Sequence, residues 1–208
     1  MKNLAITVAA VMGILAFTMV NADVPNYKYA EFAYGTGELE LTVQGVGSAD
    51  VDEDGFEIEG SYSFIDNRLW LFGSYTDLSG DEAGGDIDWE TTEVGVGLIF
   101  SENDTTAIDV AVRRREDKLS VSGAGSDDIA GVGASLGIRS NVSDTAELFA
   151  RIGFLEGDYK GSATLDLGAV YNITDSFALS LSYEWLDYDD EGIELELSQI
   201  QLGARMKF

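Results

Sequence analysis

The sequence predicts an all-β fold, an antiparallel up-and-down β-barrel that crosses a membrane on its strands. Three observations predict it. Apolar residues recur at every second position in segment after segment. Short turn sequences alternate with longer acidic ones between those segments. The chain stops on an aromatic residue, Phe208, behind a run of alternating apolar side chains.

The first 22 residues read as a leader and not as part of that fold. Met1-Lys2-Asn3 makes a short positive start, Leu4 to Val20 is apolar apart from Thr7 and Thr18, and Val20-Asn21-Ala22 places small or β-branched residues where a signal peptidase reads. The apolar run is short for roughly 30 Å of hydrocarbon, and no positive stop-transfer cluster follows it. The sequence therefore predicts a cleaved signal peptide over 1–22, cut after Ala22, and one barrel domain over 23–208.

Cleavage removes one positive charge, Lys2, so 11 Lys and Arg then face 38 Asp and Glu, a formal charge of −27. So acidic a chain repels nucleic acid and attracts cations, and no nucleic-acid partner is expected. It contains no Cys and no His, which excludes disulfides, lipid attachment at the new N-terminus and the commonest proton-transfer residue near neutral pH. The single proline, Pro25, precedes the first strand, so every later residue can donate to a hydrogen-bond ladder.

The strands follow from the period. Val94, Val96, Leu98 and Phe100 point one way, and Glu93, Gly95 and Gly97 the other. Ala130, Val132, Ala134, Leu136 and Ile138 repeat the pattern, as do Phe177, Leu179, Leu181, Tyr183 and Trp185. Ten strands are predicted at 27–35, 55–64, 68–77, 91–100, 105–114, 128–139, 145–155, 163–171, 176–186 and 193–208. The first is the weakest, because Leu39, Leu41 and Val43 also alternate; misassigning either half lowers the count to eight. The segment 68–76 is apolar on both faces and has no readable orientation. Turn residues at 65–67, 101–104, 140–144 and 172–175 predict tight connections at one end. Acidic, glycine-bearing stretches at 36–54, 77–90, 114–127, 156–162 and 187–192 predict longer loops at the other. In the last segment, Ile193, Leu195 and Leu197 sit out of phase with Ile200, Leu202, Ala204 and Met206, which predicts a β-bulge near Ser198-Gln199.

A soluble barrel alternates too, so the faces must decide. Here the polar face is rich in Gly and Ser as well as charge, suiting a crowded lumen, and the apolar face ends on aromatics such as Phe64, Phe100, Tyr171, Tyr183 and Trp185. Ile200, Leu202, Ala204, Met206 and Phe208 resemble the terminal assembly signal of Gram-negative outer-membrane barrels. On these features residues 23–208 resemble the small outer-membrane β-barrel proteins, in layout the OmpA transmembrane domain and porin-family barrels. The resemblance implies export to the bacterial outer membrane, insertion by the barrel-assembly machinery, and contact with outer-membrane lipid and lipopolysaccharide. It leaves oligomeric state and natural ligand unassigned.

Enzymes of this architecture, namely the omptin proteases, the lipid A palmitoyltransferase and deacylase and the outer-membrane phospholipase, use a His in or beside the reacting group. A chain without His excludes those mechanisms, and no acid pair stands out from so many, so no enzyme and no catalytic residue are expected. Two readings stay open: a structural or surface-interaction barrel, and a narrow cation-selective channel. Sending the apolar face to lipid puts Glu31, Glu57, Glu59, Glu93, Asp109, Glu147, Asp166 and Glu184 inside with Arg113, Arg139, Arg151 and Arg205. Arg–carboxylate pairs among these would brace the wall and close the lumen. Asp50, Asp52 and Asp54 ahead of Gly55 match the first half of a calcium loop, so a weak Ca²⁺ site is a candidate, although Ser61 stands where such a loop needs Glu. Asp187 to Gly192 repeats the spacing. No other cofactor is expected. Arg113-Arg114-Arg115 is the one basic run, able to grip lipopolysaccharide phosphates or to balance Glu116 and Asp117.

Overall fold

The computed structural model describes residues 25–208 apart from 46, 66–67, 83–84, 104, 123–124 and 191–192. The predicted leader over 1–22 lies outside the described residues. Ten strands form: β1 (Tyr29–Val43), β2 (Gly47–Phe64), β3 (Leu69–Glu82), β4 (Gly85–Glu102), β5 (Thr106–Val121), β6 (Gly125–Ser143), β7 (Ala146–Gly157), β8 (Ser162–Asn172), β9 (Phe177–Asp190) and β10 (Ile193–Lys207). Each pairs antiparallel with its sequence neighbours, and β1 pairs with β10, so the sheet closes and has no free edge.

The turns at the end where β1 begins and β10 ends are local constructions. Asn103 Oδ1 accepts the backbone N–H groups of Thr105 and Thr106, and Thr174 Oγ1 accepts those of Ser176 and Phe177. These side-chain bonds supply what a tight turn leaves unpaired. At the opposite end the strands run further than predicted. The expected loops 36–54, 77–90 and 114–127 are mostly strand, closing through Val43–Gly47, Glu82–Gly85 and Val121–Gly125 pairs. Polar segments can extend a ladder wherever one face finds apolar cover, and here it does.

That cover comes from an inversion of the two faces along each strand. In the band next to the short turns, apolar side chains point outward: Phe32, Ile58, Leu71, Val96, Val110, Leu136, Leu181 and Leu202 are exposed large hydrophobics on the barrel wall. Soluble proteins rarely leave so continuous an apolar surface open, and a lipid-facing belt is its physical explanation. Past the outer aromatics the pattern reverses. Leu39, Val51, Leu78, Trp89, Leu155, Leu186, Leu195 and Leu197 point inward and pack together, while Glu38, Glu40, Asp52, Asp88 and Glu196 point out. Upper and lower parts of the same strand thus read as two opposite amphipathic patterns.

The inversion corrects the predicted bulge in β10. Register with both β1 and β9 is continuous through Ser198 and Gln199. Leu195 and Leu197 are out of phase with Ile200 and Leu202 because the first pair lines the lumen and the second faces lipid. Register shifts fall instead between Ile99 and Ser101 and between Asn141 and Ser143, beside the short turns.

The two-faced segment of β3 also resolves. Leu71 faces out, while Trp70 and Phe72 face in, stacked with ring centroids 4.6 Å apart, and Trp70 meets Tyr27 at 5.3 Å. Glycine on β4 makes room: a Cβ on Gly97 would lie 2.2 Å from the Trp70 indole, and one on Gly95 2.3 Å from the Phe72 ring. The Gly-rich polar face is therefore the socket for the aromatics of the neighbouring strand.

Candidate functional site

The barrel interior is the candidate site, and it is built in three layers. Near the short turns, Tyr27, Trp70, Phe72, Ile99, Ala107 and Ala111 form an apolar cluster. At the far end stands the larger cluster around Leu39, Trp89 and Leu197. Between them lies a layer of charge.

Alternate positions on β5 send Arg113 and Arg115 inward and Arg114 outward. Arg113 binds Glu93 at 3.0 Å and donates to Thr164 Oγ1 at 2.6 Å. Arg115 bridges Glu184 at 2.6 Å and Asp117 at 3.1 Å, and Asp117 also accepts from Thr91 and from the Tyr159 hydroxyl. Lower down, Arg139 lies 3.5 Å from Glu147 and 4.8 Å above the centre of the Tyr27 ring. Arg151 reaches Asp109 at 3.5 Å and lies over Trp70, and the Tyr27 hydroxyl donates to Asp109. Arg205 binds Glu31 across the closing seam and sits 3.8 Å over the Tyr29 ring. Glu57 accepts from Thr76 and Gln201, Glu59 from Tyr29, and Glu184 from Gln199. Asp166 stands in register between Arg151 and Glu184. The charges of this layer thus stand beside opposite charges or hydrogen-bonding groups, as low-dielectric burial demands.

Glu57, Glu93, Asp109, Arg113, Arg139, Glu147, Arg151, Asp166, Glu184 and Arg205 all face the lumen in this way, as do Glu31 and Glu59. Sequence reading missed Arg115 and Asp117; their parity with Arg113 on one strand was the signal that could have found them. It also missed Glu53, buried under the outer apolar cluster with neither carboxylate oxygen hydrogen-bonded among the described residues. Glu53 lies above the lipid-facing band, since its neighbours Asp52 and Asp54 are exposed on the outer wall. Desolvation by burial pushes its carboxyl up to about 7.

The free space left in the charged layer is a cavity of about 100 Å³. Arg113 Nε, Arg151 Nε and Gln199 Oε1, on residues lining it, have no hydrogen-bond partner among the described residues.

Asp50, Asp52 and Asp54 are not gathered as a calcium loop would gather them. They occupy alternate positions on the outer face of β2, and the tight turn expected before Gly55 is replaced by continuous pairing with β1, joined by β3 from Asp54 onward. Alternate residues on a strand stand roughly 6.5 Å apart, too far for three carboxylates to share one ion. Asp54 instead accepts from the Tyr34 hydroxyl. Among the described residues no group of three or more acidic side chains is placed to hold a metal ion. In the second acidic motif, Asp187 pairs in register with Glu196 on β10, and 191–192 lie outside the described residues. Ile200, Leu202, Met206 and Phe208 are exposed and Ala204 half-buried, all on the outer wall, and the Phe208 N–H donates to the Lys28 carbonyl.

Known structures place the fold. The COG4313 outer membrane channel from Pseudomonas putida F1 is similar over 90% of this chain and 98% of that one, at 11% identity and a TM-score of 0.52. Neisserial surface protein A is similar over 86% of this chain and 97% of that one, at 15% identity and a TM-score of 0.46. Ail, the attachment invasion locus protein of Yersinia pestis, is similar over 88% and 100%, at 16% identity and a TM-score of 0.42. At these identities the likeness concerns the fold, that of the bacterial outer-membrane β-barrels. No curated protein matches the chain. Residues 29–191 match the family model described as "Protein of unknown function, DUF481", and with most of its length covered the chain belongs to that family.

Proposed function

We propose that this protein is a non-enzymatic outer-membrane barrel with a closed lumen, acting through its structure and its acidic outer surface. The observation that carries the reading is the filling of the lumen along its length, by an aromatic cluster, a guanidinium–carboxylate layer and a second apolar cluster. A solute would have to displace Trp70 and Phe72 at one mouth and the Leu39–Trp89–Leu197 cluster at the other. What remains accessible is the outer rim, where Glu38, Glu40, Asp52 and Glu196 meet water. On this reading the leader exports the chain, the assembly machinery inserts it, and the band of outward apolar residues sits in the outer membrane.

A narrow cation-selective channel is the second reading. It is favoured by the lumen's composition, in which among the described residues ten carboxylates (Glu31, Glu53, Glu57, Glu59, Glu93, Asp109, Asp117, Glu147, Asp166, Glu184) face five guanidiniums. Single-channel recording on the refolded barrel separates the two. A silent bilayer for wild type, with conductance appearing in the combined Trp70→Ala and Trp89→Ala variant, supports the closed lumen. A steady cation-selective conductance from wild type overturns it.

A further inference from the structure

On β5 the outward residues run Ile108, Val110 and Val112, then Arg114, Glu116 and Lys118. Val110 and Val112 of that line lie in a groove of about 570 Å³ on the lipid-facing wall, lined among others by Val96, Leu98, Leu136 and Phe154. The groove passes Ala134, whose methyl group stands between the larger Val132 and Leu136 on the same face of β6. Beyond it on the same line stands Arg114, the next outward residue after Val112, in register with Val94 and Val132. Lys118 is the second outward residue beyond Arg114 on the same strand.

The charge around the rim is uneven. On β9, β10, β1 and β2 the outward side chains Asp187, Glu196, Glu40 and Asp50 form one row of register partners, all acidic. Among the described residues, Arg114 and Lys118 are the cations that the strands turn outward at and above the upper edge of the lipid-facing band, and both stand on β5 beyond the groove. Their partners hold them weakly. Arg114 meets Glu116 at 3.2 Å and Lys118 meets Glu90 at 3.1 Å, all four side chains being largely exposed. Pairs of this kind contribute little and exchange readily for a stronger anion.

We infer that this groove and these two cations form a docking site for the phosphorylated, multiply acylated glycolipid of the outer leaflet, the lipid A part of lipopolysaccharide. An acyl chain lies along Val112 and Ala134, and a sugar phosphate takes the Arg114 guanidinium in a charge-assisted bidentate contact, with Lys118 as a second handle. On β9, β10, β1 and β2 a phosphate would meet the acidic row instead. The inference rests on the outer-membrane placement proposed above, but not on whether the lumen conducts.

The test is lipid retention. Refolded full-length barrel is loaded with bis-phosphorylated hexa-acyl lipid A or with phosphatidylglycerol, passed through detergent exchange, and weighed by native mass spectrometry. Wild type should keep one lipid A at least tenfold better than phosphatidylglycerol. The Arg114→Gln, Lys118→Gln double variant should lose most of that preference, Arg114→Lys should recover part of it, and Ala134→Phe should lower lipid A retention by filling the groove without touching charge. The charge variants lie on the exposed wall, and heat-modifiable migration in gels checks that each barrel is folded. Equal retention of the two lipids by wild type, or an unchanged preference in the double variant, overturns the inference. So does efficient disulfide cross-linking of two copies through Val112→Cys, which would make the groove a contact between barrels. Conductance from a barrel that still prefers lipid A would overturn the closed lumen alone.

Discussion

Glu31 on β1 and Arg205 on β10 stand directly opposite one another across the pair of strands that closes the barrel, and the guanidinium binds the carboxylate there. Ser180 on β9 donates to the same carboxylate at 2.6 Å, so three consecutive strands meet on one buried anion. The seam that joins the two ends of the chain is therefore held by charge as well as by the backbone ladder.

Removing one member of such a pair leaves a buried charge without its partner. Arg205→Ala should destabilise the refolded barrel by about 3–5 kcal/mol. Glu31→Ala, Arg205→Ala together should cost clearly less than the two single changes added, because the second removes a charge the first has stranded. Urea unfolding of the four proteins completes the cycle, and additive losses would mean the pair contributes nothing specific.

Neighbouring residues on β9 test the facing. Leu181 is exposed on the wall and Ser180 is buried inside. Leu181→Arg should cost about 2–4 kcal/mol, the range for a cation on the lipid face near the bilayer centre. Ser180→Arg should act on the lumen by crowding Glu31. Cysteine at 181 should resist water-soluble thiol reagents in intact membranes, and ready labelling there would invert the assignment. Leu136 and Gly133 on β6 offer the same contrast.

Glu53 gives stability a pH dependence. Its carboxyl is raised from 4.5 to about 7 by burial. Below 4.5 it is protonated in both folded and unfolded chains and costs nothing. Between 4.5 and 7 the unfolded chain ionises first, so stability falls as pH rises, and above 7 the loss is complete. Relative to wild type, Glu53→Gln should gain about 3 kcal/mol between pH 4 and pH 8. A gap between the two proteins that does not change with pH would contradict the burial of this group.

The acidic row on the outer wall sets carboxylates opposite carboxylates, Glu38 with Asp52 and Glu40 with both Asp50 and Glu196. Like charges in direct cross-strand pairs are unfavourable by a few tenths to about 1 kcal/mol each. Glu40→Lys should therefore stabilise the barrel, most at low salt, where screening is weakest. A loss of stability at low salt, read from the same urea curves, would count against this.

Phe208 is proposed as part of the assembly signal with Ile200, Leu202, Ala204 and Met206. Phe208→Asp should leave export intact while lowering the amount of barrel in the outer membrane, as measured by membrane fractionation. Wild-type levels of inserted protein would remove that role.

Parity did most of the work that sequence could do. A two-residue period assigns each side chain to one of two faces, and that was enough to predict ten strands and to turn Glu93, Arg113, Arg139 and Glu184 to the same side as the glycines. It could not say where along the barrel axis each residue stands, because height comes from strand register, and register is set only when the sheet closes. Three features waited for that closure. The out-of-phase leucines of β10 look like a bulge in isolation, yet they are the inward half of an apolar cluster that needs Leu39, Trp89 and Leu155 from other strands to exist. Asp50, Asp52 and Asp54 look like a metal loop until pairing with β1 stretches them along a strand. The groove beneath Arg114 joins residues of β4, β5, β6 and β7 and has no trace in any one segment. The alternation of side chains is local and therefore legible in the chain itself, whereas the level at which lipid-facing gives way to water-facing wall belongs to the closed sheet as a whole.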